Sequence, residues 1–403
     1  MIYFDHSATT PVDKKVLAKI LPYFSDEYGN PSSLHTPGQT ASTAVEQARI
    51  ETAEILNADP AEIIFTSGAT ESDNIAILGA YKGLKNVHKD KKLHIITTQI
   101  EHPGVFAPAQ ELERLGAEVT YLKVDKRGLT SVKELEKAIK DNTVLVSIMY
   151  VNSEVGSIQP IREAGKLIKK INEKRERDWK KIGKGNRPMK IYFHTDATQA
   201  PNFLDCDTKK LHVDMMSLSA HKIYGPKGVG CLFVTKGAPV SAVMLGGSQE
   251  RGIRSGTLNT PGIVGFAEAL KLATKDREKN NKKISTLRDE LVKQIQKNIP
   301  DVVLNTPANN ATPSHAHFSF LGVEGESILI GLDLEGIAVS TGSACASHKL
   351  QASHVLLAMG LPEEVAHNSI RFTLGKNNTK DEVKKTVKVL TEVIARLRKM
   401  APK

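Results

Sequence analysis

Two neighbouring stretches of the sequence decide its fold. Residues 190–199 read KIYFHTDATQ, and residues 215–222 read MMSLSAHK. In each, a short apolar and β-branched run ends in polar side chains, which is typical of a buried strand followed by a turn. In an open α/β sheet, ligands bind beyond the carboxyl ends of the strands. The polar residues that end these runs, Asp196 and Lys222 among them, are therefore the first candidates for a functional site.

The same pattern recurs through the first two thirds of the chain. It predicts strands at Glu62–Thr66, Leu93–Thr98, Val119–Val124, Val144–Tyr150, Lys190–Asp196, Met215–Ser219 and Cys231–Thr235. Segments with helical periodicity separate most of them, at Thr40–Leu56, Glu71–Leu84, Pro108–Leu115 and Val132–Lys140. Buried strands that alternate with helices predict the α/β class, with a mostly parallel sheet covered by helices.

The pattern changes after about residue 262. It predicts one long charged helix from Gly262 to Asn298, strands at Ala316–Phe320 and Ser369–Leu374, and a last helix near Lys380–Lys399. We therefore expect a large domain over residues 16–261 and a smaller α+β domain over residues 262–403. Residues 1–15 are expected to form an N-terminal arm that packs with the small domain.

Composition excludes several classes of protein. The chain has 403 residues, of which 40% are hydrophobic and 25% charged, so wholesale disorder is excluded. It lacks both a long apolar run and a signal-like start, so we expect neither a membrane protein nor a secreted one. Its three cysteines (Cys206, Cys231 and Cys345) form no disulfide framework or zinc motif. We expect a cytoplasmic protein without a metal site.

The net charge of +10 is concentrated in one stretch. Ten basic residues and only three acidic ones lie between Lys169 and Lys190. Either a solvated helix end with a loop or a docking surface for an acidic partner explains this stretch. Only Trp179 offers an aromatic ring among these charges, so we expect no direct binding to nucleic acid.

Residues 67–73 could bind an anion, and Asp196 could pair with a positively charged ring. Residues 67–73 read SGATESD after a predicted strand, so small residues would let backbone N–H groups approach an anion. The alternative is a plain turn in which Thr70 and Asp73 form a capping box. Asp196 follows an apolar run, where an unpaired carboxylate is costly. It either caps a helix or faces a cationic ring nitrogen.

Two further motifs offer nucleophiles. Lys222 follows a strand beside His221 and two serine hydroxyls, a setting that can lower the pKa of an amine and suits an imine-forming lysine; a solvated lysine is the alternative. Cys345 lies in STGSACASH (340–348) without a large apolar neighbour, which suits an exposed, reactive thiol. Cys206 and Cys231 are expected to be buried and inert.

Together these motifs supply a phosphate cradle, an acid for a pyridine nitrogen and a lysine for an aldehyde, as a pyridoxal phosphate enzyme requires. The sequence resembles the cysteine desulfurases of the NifS/IscS class, within the fold-type I aminotransferase superfamily. The resemblance is carried by residues 5–11, 29–33, 66–74, 101–102, 196–199, 219–228, 251–257, 342–345 and 369–372. It implies a large domain that binds pyridoxal phosphate and a small C-terminal domain.

The resemblance also implies roles for individual residues. Lys222 would bind the cofactor's aldehyde and move a proton at the substrate Cα, while Asp196 would pair with the ring nitrogen. His102 would stack on the ring, and Gln199 would bond its phenolic oxygen. Ala69, Thr70, Ser219 and His221 would hold the phosphate, with Thr257 reaching the phosphate of a neighbouring subunit. Arg371 would bind the substrate carboxylate, and a homodimer is implied.

The implied activity is conversion of L-cysteine to L-alanine, with sulfur passing to Cys345 as a persulfide. A long segment after Cys345 resembles the group that supplies sulfur for iron–sulfur cluster assembly, so a scaffold or other acceptor protein is an expected partner. A selenocysteine lyase, an aminotransferase or a β-lyase of the same superfamily is the alternative. Ser153 stands where the family has Asn, which puts a contact to the cofactor's phenolic oxygen or the substrate carboxylate in doubt.

Overall fold

The computed structural model describes residues 1–89, 91–182, 188–342 and 352–400. The strands are β1 (Ile2–Tyr3), β2 (Ile63–Thr66), β3 (His94–Thr98), β4 (Glu118–Leu122), β5 (Thr143–Ser147), β6 (Tyr192–Asp196), β7 (Met215–Ser219), β8 (Gly230–Val234), β9 (Val302–Leu304), β10 (His315–Phe320), β11 (Ile337–Ala338) and β12 (Ser369–Thr373). The helices are α1 (Lys14–Ile20), α2 (Pro22–Ser25), α3 (Thr36–Leu56), α4 (Ala69–Asn74), α5 (Ala80–Val87), α6 (Pro103–Arg114), α7 (Val132–Ala138), α8 (Ile161–Ile182), α9 (Thr208–Leu211), α10 (Thr260–Lys275), α11 (Arg277–Asn298), α12 (Gly325–Leu334), α13 (His354–Ala358), α14 (Glu363–His367) and α15 (Lys380–Met400).

A seven-stranded sheet has the order β2-β8-β7-β6-β5-β3-β4, and it contains all seven strands predicted for the large domain. Strands β7, β6, β5, β3 and β4 are parallel, whereas β8 is antiparallel to both β7 and β2. The short connection between β7 and β8 holds only a three-residue 3₁₀ turn. Because a parallel crossover usually needs a helix of its own, β8 returns as an antiparallel neighbour.

Hydrophobic side chains cover both faces of this sheet. One face packs against α1, α3, α8 and α10, and the other packs against α5, α6 and the π-helical turn Ile75–Gly79. The strands are buried along their whole length except β4 and the first residue of β6. This double cover is the reason that the parallel strands read as nearly continuous apolar runs. The α/β expectation is confirmed.

The predicted single helix over residues 262–298 is wrong. Helix α10 ends at Lys275, the backbone of Asp276 is not helical, and α11 begins at Arg277. Ile263 and Phe266 of α10 lie in the core of the large sheet, whereas Leu287 and Leu291 of α11 lie in a second core. Both helices are amphipathic, so the hydrophobic periodicity continues across the break. The apolar face of α10 packs on the large sheet, whereas that of α11 packs in the second core. We propose that the domain boundary lies near Asp276.

The second core surrounds an antiparallel sheet of order β12-β10-β9, which packs with α11, α12 and α15. Ile2 and Phe4 from the N-terminus lie in this core, and β1 pairs with β11. The division into an arm, a large domain and a small domain stays a prediction. In the ranges that the structure describes, no helix is long and apolar enough to cross a bilayer.

Candidate active site

The Lys222 amine lies at the carboxyl edge of the large sheet. It belongs to the 3₁₀ turn that follows β7, and its Nζ donates to the carbonyl oxygens of Ser7 (2.6 Å) and Ala8 (2.7 Å). The Ser7 carbonyl also accepts a hydrogen bond from Gln199 Nε2 at 3.0 Å. The N-terminal segment therefore brings two of the predicted cofactor ligands together.

Asp196 and His102 lie beside this amine. Asp196 ends β6, is buried, and accepts a hydrogen bond from the backbone N–H of Thr198 (2.9 Å). His102 caps α6, and its Nδ1 accepts from the N–H of Gly104 (3.0 Å), which leaves the ring proton on Nε2. Burial lowers the pKa of His102, Asp196 raises it and Lys222 lowers it, so the three groups share one electrostatic environment.

Helix α4 begins at the same edge. Its N-cap, Gly68, has φ of +156°, which favours glycine, and a Cβ there would lie 4.0 Å from Ser219 Oγ. Ala69 and Thr70 form the first turn, whose N–H groups and dipole favour an anion. The alternative capping box is not formed, because the carboxyl oxygens of Asp73 bond to no backbone N–H.

Other predicted phosphate ligands lie on neighbouring loops. His221 Nδ1 is 3.2 Å from Thr9 Oγ1, and burial lowers the pKa of His221 to about 4. Its imidazole is therefore neutral at pH 7. Thr257 is exposed on the loop before α10. Upstream in that loop, the carboxylate of Glu250 binds the Arg49 guanidinium at 2.7 and 2.9 Å and accepts from the Phe65 N–H, so the loop is tied to the edge strand β2.

The predicted carboxylate ligand, Arg371, is buried on β12. Its Nη2 donates to Asp5 (2.9 Å), its Nη1 donates to the Ser153 carbonyl (3.0 Å), and its Nε has no partner within the described residues. The Ser153 carbonyl also accepts from the Ser7 hydroxyl (2.7 Å). Thus the main chain of Ser153 links Arg371 to the N-terminal segment, a contact that side-chain motifs could not reveal.

Two buried carboxyl groups escaped the sequence reasoning. Burial raises the pKa of Glu101 to about 8, although Met149 N–H and the Thr98 hydroxyl donate to it. Burial also raises the pKa of Glu154 to about 7, and the Ser353 hydroxyl donates to that carboxyl group. The only signal for either residue was its place in a motif. Glu101 precedes His102, and Glu154 follows Ser153.

The cysteines divide as predicted where they can be observed. Cys206 and Cys231 are buried, and burial raises the pKa of both thiols, that of Cys206 to about 12. Neither is a reactive thiol at neutral pH. Cys345 lies outside the described residues.

Comparison with known proteins identifies the family. The sequence model described as aminotransferase class-V matches residues 2–174 and 176–386. The chain belongs to this family. It is 45% identical over 403 residues to "Cysteine desulfurase IscS" of Clostridium botulinum, which covers 100% of this chain and 96% of that one.

Solved structures of class-V aminotransferase relatives have the same fold. A structure titled "NIFS-LIKE PROTEIN" has a TM-score of 0.88 and 37% identity, and the match covers 98% of this chain and 100% of that one. The structure titled "SspA in complex with cysteine" has a TM-score of 0.78 and 35% identity, covering 94% and 100% of the two chains. The fold-type I expectation is confirmed, and the family's cofactor is pyridoxal phosphate.

The residues at the sheet edge fit this cofactor. The side chains of Lys222, Asp196 and His102 lie together. The primary amine suits the cofactor's aldehyde, the buried carboxylate suits its ring nitrogen, and the imidazole suits the face of its ring. The open space at Gly68 lies next to a helix N-terminus, which suits a phosphate. When bound, the cofactor supplies an electron sink for the negative charge that develops at the substrate Cα.

Proposed function

We propose that this class-V aminotransferase relative is a cysteine desulfurase, a sulfurtransferase that converts L-cysteine to L-alanine. The observation that carries the proposal is the 45% identity, over its full length, to a protein named cysteine desulfurase. The site supports it, because Lys222, Asp196 and His102 share one environment. The related structure whose title names bound cysteine supports the same substrate class.

The residues at the sheet edge have separate tasks in this proposal. The Lys222 amine would hold the cofactor through its aldehyde, and the same amine would move a proton at the substrate Cα. Asp196 would pair with the protonated ring nitrogen, and His102, oriented by the Gly104 N–H, would contact the ring. Gln199, whose Nε2 donates to the Ser7 carbonyl, would bond the phenolic oxygen.

The phosphate and the substrate carboxylate have separate ligands. The first turn of α4, at Ala69 and Thr70, binds the phosphate together with Ser219 and His221. Arg371 binds the substrate carboxylate in this proposal, because its Nε–H has no partner within the described residues and a guanidinium can form two parallel hydrogen bonds to a carboxylate.

Sulfur leaves the substrate by transfer to the Cys345 thiolate. The substrate C–S bond breaks, an S–S bond forms, and the carbon that loses sulfur gains a proton, so cysteine and a thiol give alanine and a persulfide. The acceptor assignment rests on the sequence around Cys345, since both other thiols are buried. A sulfur-acceptor protein, such as an iron–sulfur scaffold, then removes the sulfur in a reducing cytoplasm.

A homodimer completes the proposed site. Thr257 is exposed on its loop, where a phosphate bound by the partner subunit can meet it. Large apolar side chains are exposed on another segment, with Phe24 at 64%, Tyr28 at 75% and Leu34 at 91%. Apolar residues exposed to this degree in one segment support burial against a second copy.

Product analysis tests the proposed function. Holoenzyme is incubated with L-cysteine without reductant, and alanine is quantified while the Cys345 peptide is examined by mass spectrometry. We expect alanine together with one added sulfur atom on that peptide. Pyruvate and ammonia in place of alanine would show a β-lyase, and keto-acid-dependent loss of the amino group would show an aminotransferase. Turnover of selenocysteine alone would show a selenocysteine lyase.

The departure from the family at Ser153 gives a second test. Ser153→Asn adds an amide that reaches about one bond further than a hydroxyl. Because a hydrogen bond to a charged oxygen contributes roughly 1.5–3 kcal/mol, we expect L-cysteine to bind about tenfold to hundredfold more tightly. Titration of the cofactor's absorbance change with L-cysteine measures this affinity.

The matched control for this variant is the Arg371→Ala background. Without Arg371 the substrate carboxylate is no longer held in register, so the gain from Ser153→Asn should shrink. Equal affinity in wild type and Ser153→Asn would show that a water already supplies the contact, because the Asn152 amide is buried and bonded to Ile100, Glu154 and Val155.

A further inference from the structure

The carboxyl group of Asp73 lies buried behind the proposed cofactor site without an assigned task. Its side chain is fully buried in α4, and neither oxygen has a hydrogen-bond partner within the described residues. A Cβ on Gly104 would lie 2.9 Å from Asp73 Oδ2 and 3.2 Å from His102 Nδ1. Asp73 therefore packs against the turn that orients His102, and glycine is required there for the approach.

The groups around Asp73 do not compensate a negative charge. His194 on β6 lies 3.7 Å from Oδ1, but its ring bonds to the hydroxyls of Ser147 (2.8 Å) and Ser217 (2.9 Å). Burial lowers the pKa of His194 to about 3, so the ring is neutral at pH 7.

The remaining charged neighbours are acidic. Burial raises the pKa of Asp73, and the nearby charges of Asp196 on β6 and of Glu101 before α6 raise it further. The Ser217 hydroxyl on β7 offsets part of this effect. A buried carboxylate with no cation beside it is strongly disfavoured, and a negative charge on Asp73 would lie close to the Asp196 carboxylate. A proton on Asp73 removes both penalties.

We propose that Asp73 is a positioning residue that remains a neutral carboxylic acid, so that the negative charge of this cluster resides on Asp196. An anionic Asp196 is what a protonated ring nitrogen requires. This inference rests on the proposed pyridoxal phosphate chemistry for its purpose. The protonation state of Asp73 can nevertheless be measured without any turnover.

Infrared difference spectroscopy on the holoenzyme tests the protonation state directly. The wild-type spectrum minus that of Asp73→Asn should contain the carbonyl band of a neutral carboxylic acid, shifted in D₂O. A carboxylate band in its place overturns the inference. If Asp73→Asn does not fold, Asp73→Thr serves as the neutral variant, because it has a similar volume and no charge.

Cofactor binding gives the functional readout. Asp73→Asn keeps the charge of the cluster, so its Kd for pyridoxal phosphate should stay within about twofold of wild type. The control Asp196→Asn removes the anion and should weaken binding by about tenfold or more, as loss of a charge-assisted hydrogen bond does. If Asp73→Asn weakens binding as much as the control does, Asp73 acts as an anion and the inference is wrong.

The pH dependence of unfolding separates this inference from the proposed function. A carboxyl group whose folded pKa is raised stabilises the fold at low pH, and this contribution is lost as pH rises through the folded pKa. Unfolding of the full-length protein after cofactor removal is therefore compared between pH 5 and pH 9. Asp73→Asn should gain melting temperature relative to wild type as pH rises. A pH-independent difference contradicts the inference, even if the chain binds no pyridoxal phosphate.

Discussion

Lys222→Ala is expected to yield a colourless protein in which borohydride fixes no cofactor to the chain. The yellow colour of the holoenzyme and the reduced adduct both require a primary amine that reaches the cofactor's aldehyde. Lys222 Nζ is held at the sheet edge by the carbonyls of Ser7 and Ala8, beside Asp196 and His102. The expected effect is complete loss of the adduct, measured by absorbance and by mass spectrometry of the peptide that contains residue 222.

Lys227→Ala is the matched control for this experiment. Lys227 lies five residues further along the same connection, but its side chain is exposed. It should keep both the colour and the adduct. An adduct that persists in Lys222→Ala, attached to a different lysine, would refute the assignment of Lys222 and the cofactor geometry built on it.

The strands of the large domain could be predicted from sequence because they are buried on both faces. A strand that is buried on both faces consists mostly of apolar residues, so it can be recognised as a short apolar run. The polar residue at the end of such a run marks the edge of the sheet where ligands bind. Asp196 and Lys222 were found in this way. The direction of β8 was not found, because an apolar run carries no information about whether its connection crosses over or returns.

Contacts between distant parts of the chain account for most of what the sequence did not predict. Ser7 meets Lys222 and Gln199 only after the N-terminal segment folds over the sheet edge. The Ser153 carbonyl, a main-chain group that no motif can specify, binds Arg371. Asp73 was considered as part of a capping box because spacing reports local geometry, whereas its burial depends on α6 and β6 packing around it.

Cys345→Ser is expected to retain bound cofactor and to respond spectroscopically to L-cysteine, yet to release no alanine. Lys222 and Asp196 bind and activate the substrate before sulfur moves, so their work does not need the thiol. A serine hydroxyl cannot accept sulfur as a persulfide, so turnover should fall below detection. Alanine release measured by liquid chromatography, alongside the absorbance change on adding L-cysteine, checks both halves of the expectation.

Cys206→Ala is the control that makes the loss specific to Cys345. Cys206 is buried and its pKa is raised to about 12, so its thiolate is negligible at neutral pH and cannot replace the missing nucleophile. This variant should release alanine at the wild-type rate. If Cys345→Ser also released alanine at that rate, sulfur would leave without a protein acceptor at residue 345. The persulfide mechanism would then be wrong, while the roles of Lys222 and Asp196 in binding the cofactor would stand, because they are tested by colour and adduct formation alone.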